Sequence, residues 1–214
     1  MKLKTLIKSL IFNFIYFDFG TAVKLPVIIY GNVKFTRLKG KVELTGPIRR
    51  GQYRFGGNDN RNLGSSLSID ENSTLVLKGG CFISSGFDLH IEFGGVLEIG
   101  LNLFANNNCT FLCCKHIQIG DEGLWGFGVT VMDRDGHGMY NADDPCKVVT
   151  NLPAAVKIGR HVWLSAHTNV LKGVSIAEDC IIAAGGIVTQ SFANPNTVIG
   201  GCNKVLKENV NWEI

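Results

Sequence analysis

The chain has 214 residues, 26 of them glycine, and a formal net charge of +3 at pH 7. This length favours a single domain with a full hydrophobic core. The small, dispersed charge, with no lysine or arginine cluster interleaved with aromatic residues, excludes a nucleic-acid interface as the main function. The glycines are scattered among apolar residues, which is typical of a fold with many tight turns and not of a disordered chain.

Residues 1–20 combine a basic start with an apolar stretch. Lys2, Lys4 and Lys8 precede an apolar run over residues 10–19, which Asn13 and Asp18 interrupt. The run is too short to span a bilayer, and no small-residue cleavage site follows it. Three interpretations stay open: a helix lying on the inner membrane surface through residues 1–19, a helix packed on the fold or in a subunit interface, and a cleaved signal.

Residues 21–207 are predicted to form one β-helical domain. Residues 25–68 alternate short apolar stretches with glycines and are interpreted as irregular first coils. Arg49, Arg50 and Arg54 lie in this part and are interpreted mainly as a solvated face, although they would also suit an acidic sugar or a phosphate. Residues 208–214 are interpreted as a C-terminal tail.

Apolar residues recur every six positions through most of this domain. They are Ile69, Leu75, Cys81, Phe87, Phe93, Ile99, Ala105, Phe111 and Ile117, then Ile119, Trp125 and Val131 after a slip of two, then Ile158, Leu164, Val170, Ile176, Ile182 and Val188. In the last coils a small or β-branched residue follows four positions later. Neither a helix nor an ordinary strand has this period, but the hexapeptide class of β-helix does. The predicted fold class is therefore all-β, a parallel β-helix with the aliphatic residue pointing into a triangular prism.

A long loop interrupts the repeat at residues 132–157. A loop of this length inside a regular fold is usually functional. It carries His137, preceded by Asp133 and Asp135. Imidazole is the side chain whose ordinary pKa lies nearest neutrality, so a histidine here is a candidate general base. The two aspartates are candidates to orient its ring, and the sequence does not choose between them.

Seven cysteines are present, with no CxxC pair. A zinc site of the usual spacing and a disulfide framework are both disfavoured at this length. A related β-helix family, the γ-class carbonic anhydrases, binds zinc through three histidines, two of which are five positions apart. No two histidines here have that spacing, so no metal is expected. We interpret the cysteines as buried thiols of a protein in a reducing cytosol.

The last coils resemble the hexapeptide-repeat acyltransferases, a superfamily that includes galactoside and maltose O-acetyltransferases. The similarity rests on residues 158–164, 170–174 and 182–189, and it covers residues 95–207 closely and 20–94 loosely. The N-terminal half is most similar to the capsular-polysaccharide O-acetyltransferases of bacteria. The resemblance implies a left-handed parallel β-helix of about six or seven coils. It also implies a homotrimer with active sites between neighbouring subunits.

The resemblance assigns roles position by position. His137 matches the general base, the backbone N–H of Ala166 matches the oxyanion donor, Asn106 matches the contact to the acceptor hydroxyl, and Trp163 lies where a tryptophan sits beside the acyl group. A further set of small and basic residues near the end of the chain matches the coenzyme A contacts: Ser165, Ala166, Ala184, Thr189, Lys204 and Lys207. Ser165 replaces a glycine of the family. Gln190 replaces a lysine, and the loss of that lysine weakens the argument for coenzyme A phosphate binding.

These residues predict transfer of an acetyl group from acetyl-coenzyme A to a saccharide hydroxyl, in a surface polysaccharide or its lipid-linked precursor. Acyl transfer to an alcohol needs a base, oxyanion donors and a site that holds both substrates together. Two alternatives stay open. One is N-acetylation of an amino sugar on a nucleotide, which would use the same base and donor. The other is a β-helix scaffold without activity. The predicted location is the cytoplasm, with peripheral contact to the inner membrane face if residues 1–19 bind lipid.

Overall fold

The computed structural model describes residues 2–57, 63–143 and 145–213. Two helices open the chain, α1 Leu3–Tyr16 and α2 Phe19–Ala22. The strands that follow in chain order are β1 Val27–Ile29, β2 Val33–Leu38, β3 Lys41–Leu44, β4 Tyr53–Phe55, β5 Ser65–Ile69, β6 Thr74–Leu77, β7 Cys81–Ile83, β8 Asp88–Ile91, β9 Val96–Ile99, β10 Leu103–Ala105, β11 Thr110–Cys113, β12 His116–Ile119, β13 Leu124–Trp125, β14 Thr130–Met132, β15 Val156–Ile158, β16 Trp163–Leu164, β17 Asn169–Val170, β18 Ser175–Ile176, β19 Ile181–Ile182, β20 Ile187–Val188, β21 Val198–Gly200 and β22 Lys204–Lys207.

The strands form three sheets, which are the three sides of a prism. Sheet A has the order β1-β4-β7-β10-β13-β16-β19-β21-β22, sheet B the order β2-β5-β8-β11-β14-β17-β20, and sheet C the order β3-β6-β9-β12-β15-β18. The chain passes from A to B to C and then begins the next coil, so each strand from β1 to β17 pairs in parallel with the strand three places later. β19 pairs with β21, two places later, because the third side of its coil is only a bridge. β22 turns back antiparallel to β21. The fold is a left-handed parallel β-helix, with six coils complete in the described residues and a seventh whose third side is only the bridge between Ile176 and Phe192.

The last coils follow the predicted period of six. Every aliphatic residue expected inside the prism from Ile158 to Val188 is buried. The corners follow the same period, because the chain must enter the left-handed region of backbone conformation to turn. Five consecutive corners do so, at His161, His167, Gly173, Asp179 and Gly185. Glycine, aspartate and histidine tolerate this conformation better than β-branched residues do.

The middle coils are longer than the sequence pattern indicates. Phe82 pairs with Phe104, 22 residues later, and Phe104 pairs with Leu124, 20 residues later, instead of 18. Most strands here have three or four residues, and several place two side chains in the core instead of one. The strict reading in sixes was therefore wrong at Phe93, which lies at a corner with a φ of +55° and a 72% exposed side chain.

Helix α1 packs on the first coil through its polar side. Thr5, Ser9 and Asn13 are buried. The Asn13 amide donates to Val27 O (2.7 Å) and its carbonyl accepts from Val27 N (3.2 Å), while Ser9 Oγ accepts from Ile29 N (3.0 Å). These side chains satisfy the free edge of β1, which has no strand beyond it. Within the described residues, no helix has both the length and the apolar character needed to cross a bilayer.

The cysteines divide by position. Cys81, Cys109, Cys113 and Cys180 are buried, as predicted, whereas Cys146 and Cys202 are exposed, so the prediction of buried thiols was wrong for these two. Burial raises the pKa of Cys81 and of Cys109 to about 12, and it also raises the pKa of Cys113. The buried thiols therefore act as small apolar side chains of the prism core.

Candidate active site

Most of the predicted site residues lie at two different edges of the prism. We call the turn from sheet A to sheet B the A/B corner and the turn from sheet B to sheet C the B/C corner. Four predicted residues lie at the A/B corner: Asn106, Ser165, Ala166 and Ala184. His137 and Thr189 follow β14 and β20 of sheet B and belong to the B/C corner.

The A/B corner leaves backbone donors unused. Neither Ala166 N–H nor Ala184 N–H has an acceptor among the described residues, whereas Ser165 N donates to Ile182 O (2.9 Å) and Gly185 N donates to Ala166 O (2.9 Å). The two alanines are 18 residues apart and occupy equivalent positions in successive coils. A short side chain at both positions keeps the approach to these N–H groups open, which is what an oxyanion or an amide carbonyl would need. Their assigned roles stay predictions.

Asn106 and Trp163 flank this corner. Asn106 donates its backbone N–H to Trp125 O, and its side-chain oxygen accepts from Asn107 N (2.9 Å). Trp163 lies on the outer face of sheet A, half-buried, in a column between Leu124 and Ile181. The structure therefore brings both residues to the side of the prism that carries Ala166.

The sequence interpretation missed a tail residue that covers this face. Trp212 stacks on His161 with ring centroids 3.9 Å apart and lies 6.0 Å from the ring of Trp163. Its indole N–H donates to His161 O (3.0 Å), and His161 Nδ1 is 2.8 Å from Asp179 Oδ1. A tryptophan so close to the end of a polar tail was the signal that this segment packs on the fold. It fixes one side of Trp163.

The predicted phosphate-binding residues lie at the end of the prism. Lys204 and Lys207 are exposed on β22, and neither forms an ion pair within the described part of the chain. Thr189 is tied to the turn before β22, because its N–H donates to Asn203 Oδ1 (2.8 Å) and its hydroxyl accepts from Asn203 Nδ2 (2.5 Å). The lysines are free to meet an anion there, whereas Thr189 already has a partner.

Asp133 anchors the loop that carries His137. It is fully buried, and its carboxylate accepts hydrogen bonds from the backbone N–H groups of Cys114 (2.7 Å), Lys115 (2.8 Å) and His116 (2.8 Å). At the same corner of the preceding coil, the N–H groups of Glu92 and Val96 donate to carbonyls of the next coil. Here the next coil is displaced by the loop, and the carboxylate replaces those carbonyls. The loop closes again where Ala154 N donates to Asp133 O (2.9 Å).

The second aspartate also serves the loop and not the histidine ring. Asp135 pairs with Lys172 (2.8 Å), which also contacts the Asn151 side chain. Asn151 Nδ2 in turn donates to the backbone oxygen of His137 (2.9 Å). Within the described residues, neither Asp133 nor Asp135 forms a hydrogen bond to the His137 ring. The expectation that one of them orients the ring therefore does not hold within one chain.

His137 is exposed and lines a cavity of about 310 Å³. The cavity lies between the loop and the B/C corners of earlier coils, beside Phe93, Cys114 and Arg134. The Arg134 guanidinium lies over the Phe93 ring, 4.5 Å from its centroid, and donates to Gly136 O (2.7 Å). This contact gives the exposed Phe93 a role in holding the loop.

One chain does not bring His137 to the A/B corner. A side of sheet B separates them, which is about five residues of extended chain or on the order of 15 Å. A general base must come within hydrogen-bond reach of the hydroxyl that it deprotonates. The predicted site would thus need residues from two copies of the chain. No three histidine, cysteine or acidic side chains converge to hold a metal ion in the described ranges.

No protein-family profile matches the chain. Two curated relatives are galactoside O-acetyltransferases. The protein of Escherichia coli strain K12 is 31% identical over 113 residues, which is 53% of this chain and 54% of the relative. The protein of Lactococcus lactis subsp. lactis is 32% identical over 132 residues, which is 61% of each. The chain therefore spans just over half to three fifths of the length of these relatives.

Solved structures agree in fold. The polySia-specific acetyltransferase NeuO superposes with a TM-score of 0.62 at 17% identity, covering 88% of this chain and 79% of that chain. A hexapeptide-repeat acetyltransferase of Vibrio cholerae, complexed with acetyl-coenzyme A, superposes with a TM-score of 0.50 at 24% identity, covering 63% and 70%. In sequence and in fold the chain is similar to the hexapeptide-repeat acyltransferases. The predicted resemblance and the predicted fold class are thus confirmed.

Proposed function

We propose that the protein transfers an acetyl group from acetyl-coenzyme A to a hydroxyl group of a saccharide. The observation that carries this proposal is the pair of unused N–H groups of Ala166 and Ala184, one coil apart beside Trp163. The similarity in sequence to galactoside O-acetyltransferases supports the same chemistry. The bound acetyl-coenzyme A of the Vibrio cholerae protein supports the donor.

The proposed reaction is direct attack without a covalent enzyme intermediate. An imidazole nitrogen of His137 takes the proton of the acceptor hydroxyl as its oxygen attacks the thioester carbonyl. The Ala166 N–H donates to the oxyanion of the tetrahedral intermediate. The carbon–sulfur bond then breaks, and the imidazolium returns the proton to the thiolate of coenzyme A. The products are the acetyl ester and the free thiol, and the histidine ends neutral as it began.

We propose a homotrimer in which neighbouring subunits complete each site. The separation of His137 from the A/B corner within one chain supports this arrangement. The outer face of sheet A also supports a protein contact, because Phe82, Phe104, Leu124 and Trp163 form an apolar column along it. Phe82 and Phe104 lie with ring centroids 5.4 Å apart. A column of this kind is more apolar than a solvated strand face normally is.

We propose that the donor lies along the end of the prism that carries β22. Coenzyme A carries phosphate groups, and Lys204 and Lys207 are exposed there without ion-pair partners in the described residues. Small residues at positions 165, 166 and 184 leave room for the pantetheine arm. Gln190, where the family has lysine, removes one positive charge from this path, so we expect weaker electrostatic attraction than a full set of lysines would give.

We propose a surface polysaccharide, or its lipid-linked precursor, as the acceptor. The fold similarity to NeuO, whose name specifies polySia, supports a polymeric acceptor. The cavity beside His137 is a shallow space between loop and prism and suits a chain of sugars that passes through it. We expect Asn106 to contact the acceptor hydroxyl across the subunit boundary.

The test is acetyl transfer by the purified protein in the presence of acetyl-coenzyme A. The acceptor panel should contain galactosides, maltose, oligosialic acid and nucleotide-linked amino sugars. Because Cys146 and Cys202 are exposed, the product should be followed by the mass of the acetylated saccharide, with thiol release as a second readout. We expect an ester product, and the substitution His137→Ala should lower its rate by about a hundredfold or more.

The matched control is His116→Ala, because His116 is a half-exposed histidine on sheet C whose ring already pairs with Glu98 (2.6 Å). It should retain the wild-type rate. Acetylation of an amino group alone would replace O-transfer by N-transfer in the proposal. Absence of both coenzyme A binding, measured by calorimetry, and product would overturn the enzymatic proposal and leave a scaffold.

A further inference from the structure

Helix α1 is amphipathic with its polar side turned toward the protein. Thr5, Ser9 and Asn13 recur at intervals of four and are all buried, so they form one polar stripe. Their hydrogen bonds go to the backbone edge of β1. Lys8 Nζ also reaches Val33 O (2.5 Å) at the start of β2. The helix therefore packs on the first coil with its polar side chains inward, because the free edge of that coil needs hydrogen-bond partners.

The opposite side of the helix is apolar and uncovered. The exposed residues of this apolar stripe are Leu3, Ile7, Leu10, Ile11, Phe14 and Ile15, and Phe19 and Val23 continue it beyond the helix. A contiguous patch of exposed apolar side chains on a folded domain marks an interaction surface. On the inner side Phe12 joins the core of the prism and Tyr16 packs against it.

Charge is strongly polarised toward the same end of the molecule. Residues 1–57 contain eleven lysines and arginines but only two carboxylates, Asp18 and Glu43. The remaining residues contain ten basic and sixteen acidic side chains. Because the coils stack in chain order, the net positive part is the helical cap with the first coils. Asp18 itself is engaged in capping α2, where it accepts from Thr21 N (3.1 Å).

A basic cavity adjoins the start of the apolar stripe. Its volume is about 350 Å³, and Lys2, Arg50 and Arg54 line it together with Thr5 and Tyr30. Arg54 is held by a hydrogen bond from its Nε to Gly51 O (2.9 Å). None of the three cationic groups forms an ion pair with another described residue. Three unpaired cations around one cavity suit a phosphate group.

We propose that the N-terminal cap docks on a bilayer surface that contains anionic phospholipid. The apolar stripe of α1 enters the boundary between headgroups and acyl chains, and the basic cavity receives a lipid phosphate. Both features are those of interfacial helices, which combine buried apolar area with attraction to anionic lipid. The prism then stands away from the membrane with its cap against it.

Charge argues against a second copy of the chain that meets this cap face to face or end to end, and the oligomeric mass in the test below distinguishes the side-by-side contact of a trimer. A symmetric contact between two caps would bring two strongly positive surfaces together, which like-charge repulsion opposes. A contact between the cap of one chain and the acidic far end of another would not close, and it would generate filaments. An anionic membrane meets the positive cap with the opposite charge over its whole area.

The test is flotation of the full-length protein with vesicles. Vesicles of phosphatidylcholine alone are compared with vesicles in which one third of the lipid is phosphatidylglycerol. We expect binding only to the anionic vesicles, and we expect it to weaken as sodium chloride is raised, because screening shortens the reach of the lysines and arginines. The variant Ile11→Gln/Phe14→Gln should lower bound protein about tenfold or more. The variant Arg50→Gln/Arg54→Gln should lower it about 25-fold, at about fivefold per charge.

Matched variants outside the N-terminal cap separate docking from folding. Ile187→Gln changes an apolar residue of similar exposure in the last coils, and Lys115→Gln/Lys157→Gln removes two exposed charges from the B/C side and sheet C. Both should float like the wild type, and all variants should unfold at a similar temperature. Equal flotation of the Ile11→Gln/Phe14→Gln variant and the wild type would overturn the proposal. So would a change in oligomeric mass caused by this variant without loss of vesicle binding, which would identify a subunit interface.

Discussion

The two corners that bound sheet B turn the chain by different means. At the A/B corner of the fifth coil four residues join β13 to β14, and the space is so small that a side chain on Gly126 would place its Cβ 2.6 Å from Ala166 N. At the B/C corner of the same coil the chain leaves the prism for about twenty residues. It returns at Ala154, and a single buried carboxylate, Asp133, holds the gap closed.

The difference shows what an insertion costs a β-helix. Regular coils satisfy one another through backbone hydrogen bonds, so a tight corner fixes its N–H groups without help from side chains. An inserted loop removes the acceptors that the preceding coil requires, and a side chain must supply them. The A/B corner is therefore suited to hold fixed backbone donors, and the B/C corner is suited to carry a variable loop.

The largest effect is expected from removing the carboxylate at the B/C corner. Asp133→Ala leaves three backbone N–H groups without acceptors, and we expect the free energy of unfolding to fall by about 3–5 kcal/mol. Asp133→Asn keeps one oxygen but turns an NH2 group toward at least one donor, so it should cost about 1–2 kcal/mol. Urea unfolding of both variants measures the difference. Equal and small losses would mean that water can replace the carboxylate.

The next effect is expected at the tight A/B corner. Gly126→Ala forces the backbone around Ala166 to move, and we expect a loss of about 1–3 kcal/mol. Because small displacements of a reacting group reduce rates steeply, acetyl transfer should also fall by about tenfold to a hundredfold.

The comparison for this prediction is Gly185→Ala at the corner of a later coil. Its φ is +70°, but nothing lies within 4 Å of the added Cβ. Gly185→Ala should lower the free energy of unfolding by about 1 kcal/mol through backbone strain alone. Relative to this loss of stability, the acetyl-transfer rate should fall less than it does for Gly126→Ala. If both variants lose activity only in proportion to their loss of stability, the close packing against Ala166 has no catalytic consequence.

The smallest effect is expected from the ion pair that restrains the loop. The hydrogen bond from Lys172 holds the pKa of Asp135 below its usual value. Its contribution is therefore fully present above the ordinary carboxyl range and is lost as the pH falls through the lowered pKa. Since both groups are partly exposed, the pair is worth less than about 1 kcal/mol. Lys172→Gln should thus leave the melting temperature nearly unchanged.

The loop itself should report the pair. Deuterium uptake by residues 136–153, corrected for the intrinsic dependence of exchange on pH, should rise in acid for the wild type. For Lys172→Gln it should already be raised at neutral pH and should change little on acidification. Identical uptake curves for the two proteins would show that Asn151 and the hydrogen bond from Ala154 N to Asp133 O hold the loop without the ion pair.

The sequence alone determined the prism and much of its interior. A period of six predicts which side chains face the core, because this depends on the local chain. The prediction is correct for every position from Ile158 to Val188. It was less accurate between residues 69 and 131, because strands of three or four residues lengthen each coil and shift the inward positions. The superfamily resemblance selected residues that the structure distributes between two corners, and their catalytic roles remain predictions.

Tertiary structure decided the features that depend on which backbone N–H and C=O groups lack a hydrogen-bond partner in the neighbouring coil. The apolar run of residues 10–19 left open which side of the helix faces the fold, and α1 packs through Ser9, Phe12 and Asn13. Asp133 was one of two candidates to orient the His137 ring, but its carboxylate accepts from backbone N–H groups of the preceding coil. A sequence pattern records how well a side chain suits burial. It does not record which strand edge or interrupted corner lacks partners, because that is settled only when the coils are stacked.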